Sequence, residues 1–175
     1  MEMTNYMELL AVNQPWNLIL FMAIPMGTAE LLVATEFFTL FYEGNKNSSW
    51  RKWNHWLSMV LGVYFFFVFA YLMGGVVPHL EWRGIFDYIA VGAYLIGVIP
   101  LGAIVLLEWK VLGKSYDERA RAKVHAAWLV AFLILGHIAM ISGMVNPTLS
   151  GWHPETHSMM QMEAGNHNMN MGHGK

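Results

Sequence analysis

Four long apolar stretches, near residues 16–42, 54–77, 85–108 and 123–146, set the terms for everything else in this sequence. Each is long enough to cross a lipid bilayer, since a hydrocarbon core about 30 Å thick takes roughly 20 residues at about 1.5 Å of helical rise. In lipid every backbone N–H and C=O must be paired within the protein, and uninterrupted apolar runs achieve this as helices, whereas a barrel would need alternating strands. The expected fold is therefore all-α: a polytopic membrane protein with four transmembrane helices. Composition agrees, because 56% hydrophobic and 13% charged residues are wrong for a soluble domain of 175 residues.

The ends of the spans carry their own signals. Pro15-Trp16 opens the first with a proline and an interfacial indole, Gly74-Gly75 and Pro78 mark the end of the second, and Asn146-Pro147 closes the fourth. Lys and Arg in short loops favour the cytoplasmic side. Lys46, Arg51 and Lys52 lie between the first two spans, and Lys110, Lys114, Arg119, Arg121 and Lys123 between the last two, against Arg83 alone in the middle loop. The expected layout is thus N-out/C-out in a bacterial-type cytoplasmic (inner) membrane. Residues 1–150 form the membrane domain and 151–175 an extracytoplasmic tail. Glu2 and Glu8 stand where a cleavable signal would carry basic residues, so the first span is expected to stay.

Several functions are excluded or disfavoured. A formal charge of −2 offers no basic face for nucleic acid. The absence of cysteine removes disulfides and thiolate metal sites, leaving Met and His for soft-metal chemistry. There is no nucleophile–base motif, phosphate-binding glycine loop or zinc-protease motif, so an enzyme is not expected.

The tail changes composition abruptly. From Trp152 onward it carries His153, His157, Met159, Met160, Met162, His167, Met169, Met171 and His173 among Asn, Gly, Ser and Glu. Such a segment cannot bury a core and is expected to be disordered when free. Thioether and imidazole together favour copper over harder cations. The composition resembles the Met/His-rich segments of bacterial periplasmic copper-handling proteins, which implies metal capture by about the last 24 residues.

The spans add a second candidate. With the orientation above, all methionines but Met59 fall outside or in the outer half of the bundle. Met22, Met26 and Glu30 are spaced i, i+4, i+8, and His137, Met140 and Met144 are spaced i, i+3, i+7, each set on one helical face. Ionisable groups near mid-membrane are costly unless they face the bundle interior with a partner, so Glu30 and His137 are expected to meet there. The pairs Met22/Met26 and Met140/Met144 resemble the Met-x-x-x-Met element of the eukaryotic high-affinity copper transporters. That resemblance implies thioether ligands along a metal path, although that family has three spans and this chain four. Small residues at helical spacing, Ala93 with Gly97 and Ala127 with Ala131, are expected to mark close helix contacts. Pro25 is expected to free the carbonyl of Phe21.

The leading functional expectation is a membrane protein that captures copper on its tail and passes it to an intramembrane Met/Glu/His site, in the manner of a permease. An alternative is a b-type haem-binding subunit of a respiratory complex, with His55 and His125 as axial ligands. A third is an assembly or scaffold protein with a metal-sensing tail. The expected partners are the lipid bilayer, a metal ion, and a membrane complex or a second copy of the chain.

Overall fold

A computed structural model describes residues 4–41 and 49–151. A short helix, α1 (Asn5–Ala11), precedes four long ones: α2 (Trp16–Thr39), α3 (Ser49–His79), α4 (Ile85–Glu108) and α5 (Glu118–Met144). All four are long and apolar enough to span a membrane. They pack as an antiparallel ring in chain order, with α2 closing against α5 in the least extensive of the four seams. The described residues contain no strand.

Local sequence explains where the helices deviate. Pro25 cannot donate to the carbonyl four residues back, and the preceding turn, Ile19–Ala23, widens into a π-turn. The carbonyls of Leu20 and Phe21 are then capped by tyrosines of other helices, Tyr64 Oη donating to Leu20 at 2.7 Å and Tyr94 Oη to Phe21 at 2.6 Å. The exchange holds α2 against α3 and α4 at a place where lipid could not satisfy the backbone. A second π-turn, Leu72–Val76, carries α3 through Gly74-Gly75 and on to His79, beyond the expected stop. Asp117 caps α5, its carboxylate accepting from the Ala120 N–H at 2.8 Å.

The centre of the bundle is closed. Phe65 stands between Tyr94 and Phe132 at ring-centroid distances of 5.1 and 5.3 Å, and Leu32, Leu61, Leu101, Ile104 and Leu129 pack around them. The cavity beside this cluster is only 10 Å³, at the lower limit of what one water needs. Glycine brings the helices close at two positions: Gly62 lies against Val105, and any side chain at Gly136 would run into Met26. Ala93 and Gly97 are buried as the small-residue spacing predicts. Ala127 is exposed and Ala131 only half-buried, so that second pair does not make the expected contact.

The two ends differ. At one end α2 and α4 finish and α3 and α5 begin; this basic end carries Arg51, Lys52, Lys110, Lys114, Arg119, Arg121 and Lys123. At the other, the terminal end, α1 lies across the helices with Tyr6 and Leu10 buried. Thr4 Oγ1 donates to the Gly143 carbonyl at 2.6 Å, and the absence of a side chain at Gly143 admits the ring of Tyr6. The Asn5 backbone N–H reaches the Asp87 carboxylate at 2.8 Å, its side-chain amide donates to Asp87 and to the Glu81 carbonyl, and Glu8 pairs with Arg83.

Candidate functional site at the basic end

The largest concentration of buried polar side chains comes from all four spanning helices at the basic end. Glu36 on α2 and His125 on α5 are almost fully buried, with side-chain exposures of 7% and 3%. Their phase explains this, because both sit on the core-facing stripes, Phe21, Pro25, Ala29, Leu32 and Glu36 on α2 and His125, Leu129, Phe132, Gly136, Ala139 and Gly143 on α5. His125 Nδ1 lies 3.0 Å from Glu36 Oε2, and its Nε2 lies 2.9 Å from Ser58 Oγ and 3.6 Å from Glu108 Oε1. Glu108 in turn meets His55 Nδ1 through Oε2 at 2.6 Å.

Neighbouring polar groups fix the members in place. Asn54 donates to Glu36 Oε2 at 2.7 Å and accepts from Thr35 Oγ1 at 2.9 Å. Ser58 donates its hydroxyl proton to the Asn54 carbonyl at 2.7 Å, so its oxygen is left to accept from His125 Nε2–H. In a neutral imidazole that assignment leaves a lone pair on Nδ1. Nδ1 is near Glu36 but off the hydrogen-bond axis, and it is a buried nitrogen with no hydrogen-bond partner. A carboxylate and an imidazole this close are an acid–base pair of the kind that can exchange a proton after a small rotation of either side chain.

The four groups form a graded path from surface to interior. Side-chain exposure falls from 50% at His55 to 18% at Glu108 and then to 3% and 7% at His125 and Glu36. A cavity of 190 Å³ runs alongside, lined by these residues and by Arg51, Arg121 and Glu118, with the Arg51–Glu118 ion pair at 3.4 Å near its mouth. Its size leaves room for a few waters. Imidazole and carboxylate at 2.6–3.6 Å spacing can pass protons or bind a small cation through nitrogen and oxygen. Among the described residues, however, no group of three or more His, Asp or Glu is arranged as a ready metal site.

The residues singled out from sequence are distributed differently. Met22, Met26 and Glu30 run one residue out of phase with the core stripe of α2, and His137, Met140 and Met144 one residue out of phase with that of α5, a rotation of about 100°. Met22 and Met26 pack at the edge of the core, Met140 is half-buried, and Glu30, His137 and Met144 are exposed. Nor are Glu30 and His137 at one depth. The contacts Met26–Gly136 and Glu36–His125 set the antiparallel register and put Glu30 level with about residues 131–132, roughly 8 Å from His137 along the axis. The expected Glu30–His137 contact inside the bundle is therefore not made. The physical reason is that glycine and alanine, not the bulkier Met and His, occupy the face that must approach other helices.

His55 and His125, the pair named by the haem alternative, line one cavity and each meets Glu108. Both nitrogens of His125 face protein groups, and 190 Å³ is smaller than the roughly 300–1,000 Å³ of ordinary ligand sites, so the pair does not fit a haem. His153, His157, Met159, Met160, Met162, His167, Met169, Met171 and His173 lie outside the described residues. Sequence reasoning gave no role to Glu36, Asn54, Ser58 or Glu108; the signal available was their phase with Ala29 and Leu32 on α2, with Leu61 and Phe65 on α3 and with Leu101 and Ile104 on α4.

The profile of a family of unknown function, DUF6803, matches residues 1–159. The chain belongs to this family. The DUF6803 match takes in α1, all four spans and the basic-end site, and stops within the Met/His segment. No curated protein and no solved structure matches the chain.

Proposed function

We propose that this membrane protein works by taking up protons from its basic side at the chain His55–Glu108–His125–Glu36. The observation that carries the reading is the graded burial of four titratable groups, one from each spanning helix, beside a small polar cavity. Ionisable groups within spans are expensive to keep, and such chains of His and carboxylate mark proton relays. The closed aromatic centre supports access from one side only in this conformation. By the bias of Lys and Arg, that side is the cytoplasm of a bacterial-type cell and both termini are extracytoplasmic.

Potential-driven proton uptake into proteoliposomes, read by a trapped pH-sensitive dye, tests the reading. Glu36→Gln and Glu108→Gln should each lower the rate at least tenfold, and Glu30→Gln should leave it unchanged. A rate that neither site variant lowers, or no uptake above that of empty liposomes, would refute it.

The Met/His tail favours a second component, in which protonation is coupled to handling of a soft transition metal, copper first. Five Met and four His within residues 152–175 support capture on the extracytoplasmic side. Copper retained through dialysis by the full chain, and lost on truncation after Gly151, is the expected result. Equal retention by the truncated chain, or none by the full one, removes the tail from the mechanism. A reporter fused after Lys175 that is active only in the cytosol removes the orientation.

A further inference from the structure

Glu30 and His137 present a problem that one chain leaves unsolved. Both lie well inside their spans, on α2 and α5, and both are exposed. Ionisable side chains at that depth are costly in lipid and normally face protein or water. We propose that the α2–α5 face is the interface with a second copy of this chain, in which Glu30 of each copy pairs with His137 of the other.

Three observations point to a second copy. The first is complementarity within one face: an acid and a base, each exposed, flank neighbouring helices, and a two-fold arrangement satisfies both pairs at once. The second is the state of His137. Its Nδ1 donates to the Leu133 carbonyl on its own helix at 2.7 Å, which leaves Nε2 directed away as the atom available to a carboxyl group. Either form of the pair, a carboxylic acid donating to Nε2 or a carboxylate accepting from Nε2–H, satisfies both groups.

Depth provides the third argument. A two-fold axis along the membrane normal joins groups at equal depth, and the backbones of Glu30 and His137 differ by roughly 8 Å. Helical side chains lean towards the N-terminus of their helix, and α2 and α5 run in opposite directions. Glu30 therefore leans towards the terminal end and His137 towards the basic end, as its bond to Leu133 shows. The two side chains approach a common level between them. The α2–α5 seam, the least extensive in the ring, places both residues beside one outward face.

The test is to count copies of the full chain in lipid nanodiscs by single-molecule photobleaching, at several protein-to-lipid ratios. The unsubstituted protein should be a dimer. Glu30→Leu and His137→Leu, both compatible with lipid, should each weaken dimerisation at least tenfold with unchanged thermal unfolding of the monomer. The double exchange Glu30→His with His137→Glu should restore the dimer. A monomer under all conditions, or a dimer that either leucine variant leaves intact, overturns the proposal. If a leucine variant fails to fold, the double exchange decides alone: a dimer supports the pairing and a monomer rejects it.

Discussion

At the terminal end of the bundle, α1 fills the space between the helices with Tyr6 and Leu10 and ties itself down through Asp87 and Gly143; at the basic end the helices part around a polar cavity of 190 Å³ lined by histidines and carboxylates. The terminal end is plugged at its centre by α1, with a surface cleft of 410 Å³ beside the plug bordered by Glu8, His79, Glu81 and Arg83, whereas at the basic end the cavity reaches the buried Glu36 and His125 themselves. The contacts that seat α1 run largely through backbone amides and carbonyls, while those of the basic end join acidic and imidazole side chains to one another. Burial locks a plug in one place and encloses an acid–base pair in the other.

The comparison can be broken most severely at Glu36. Glu36→Ala strips the acceptor from the buried Asn54 amide and leaves a void beside His125, and should cost about 3 kcal/mol, read as a lowered unfolding midpoint in detergent. A change below about 1 kcal/mol would show that the site is hydrated enough to be indifferent to its members.

Alkaline pH tests the docking of α1. Burial pushes the Tyr6 phenol up to about 12, so the docked helix holds the neutral form more tightly than a free chain does. The stabilisation is therefore complete below pH 10 and is lost as pH rises from 10 to 12, by on the order of 2–3 kcal/mol. Tyr6→Phe should remove one phenol from the late-titrating part of the tyrosinate absorbance. If the amplitude of the late part is the same in Tyr6→Phe as in the unsubstituted protein, α1 is not seated as described.

Asp87→Ala should cost about 2 kcal/mol by stripping the acceptor from Asn5, and proteolysis of the N-terminal segment should accelerate while histidine titration at the basic end stays the same. A changed titration would mean that the two ends communicate through the aromatic centre. Smallest of all is Glu118→Ala. The Arg51–Glu118 pair is exposed at the cavity mouth, and its loss should change stability by less than about 1 kcal/mol.

How far the sequence could be read depended on which interaction left a periodic trace. The four spans were legible because lipid imposes a minimum length of apolar residues, and the capping of Phe21 was legible because Pro25 must free that carbonyl; its partner, Tyr94, lies 73 residues away and was not. On α2 and α5 the Met and acid/base stripes attracted attention as chemistry. The less conspicuous stripe one residue away, with Ala29 on α2 and with Gly136, Ala139 and Gly143 on α5, decided which way the helices face. His55 and His125 were visible as candidates, but nothing in their spacing revealed Glu108 between them.

Length and hydropathy thus determined alone that the chain makes four helices through a membrane, since these depend on transfer of each segment from water to lipid and on nothing distant. Tertiary structure decided which residues meet. Helix rotation and antiparallel register arise from close packing between segments far apart in sequence, and a shift of one residue, about 100° of turn, exchanges a buried Glu36–His125 site for an exposed Glu30 and His137.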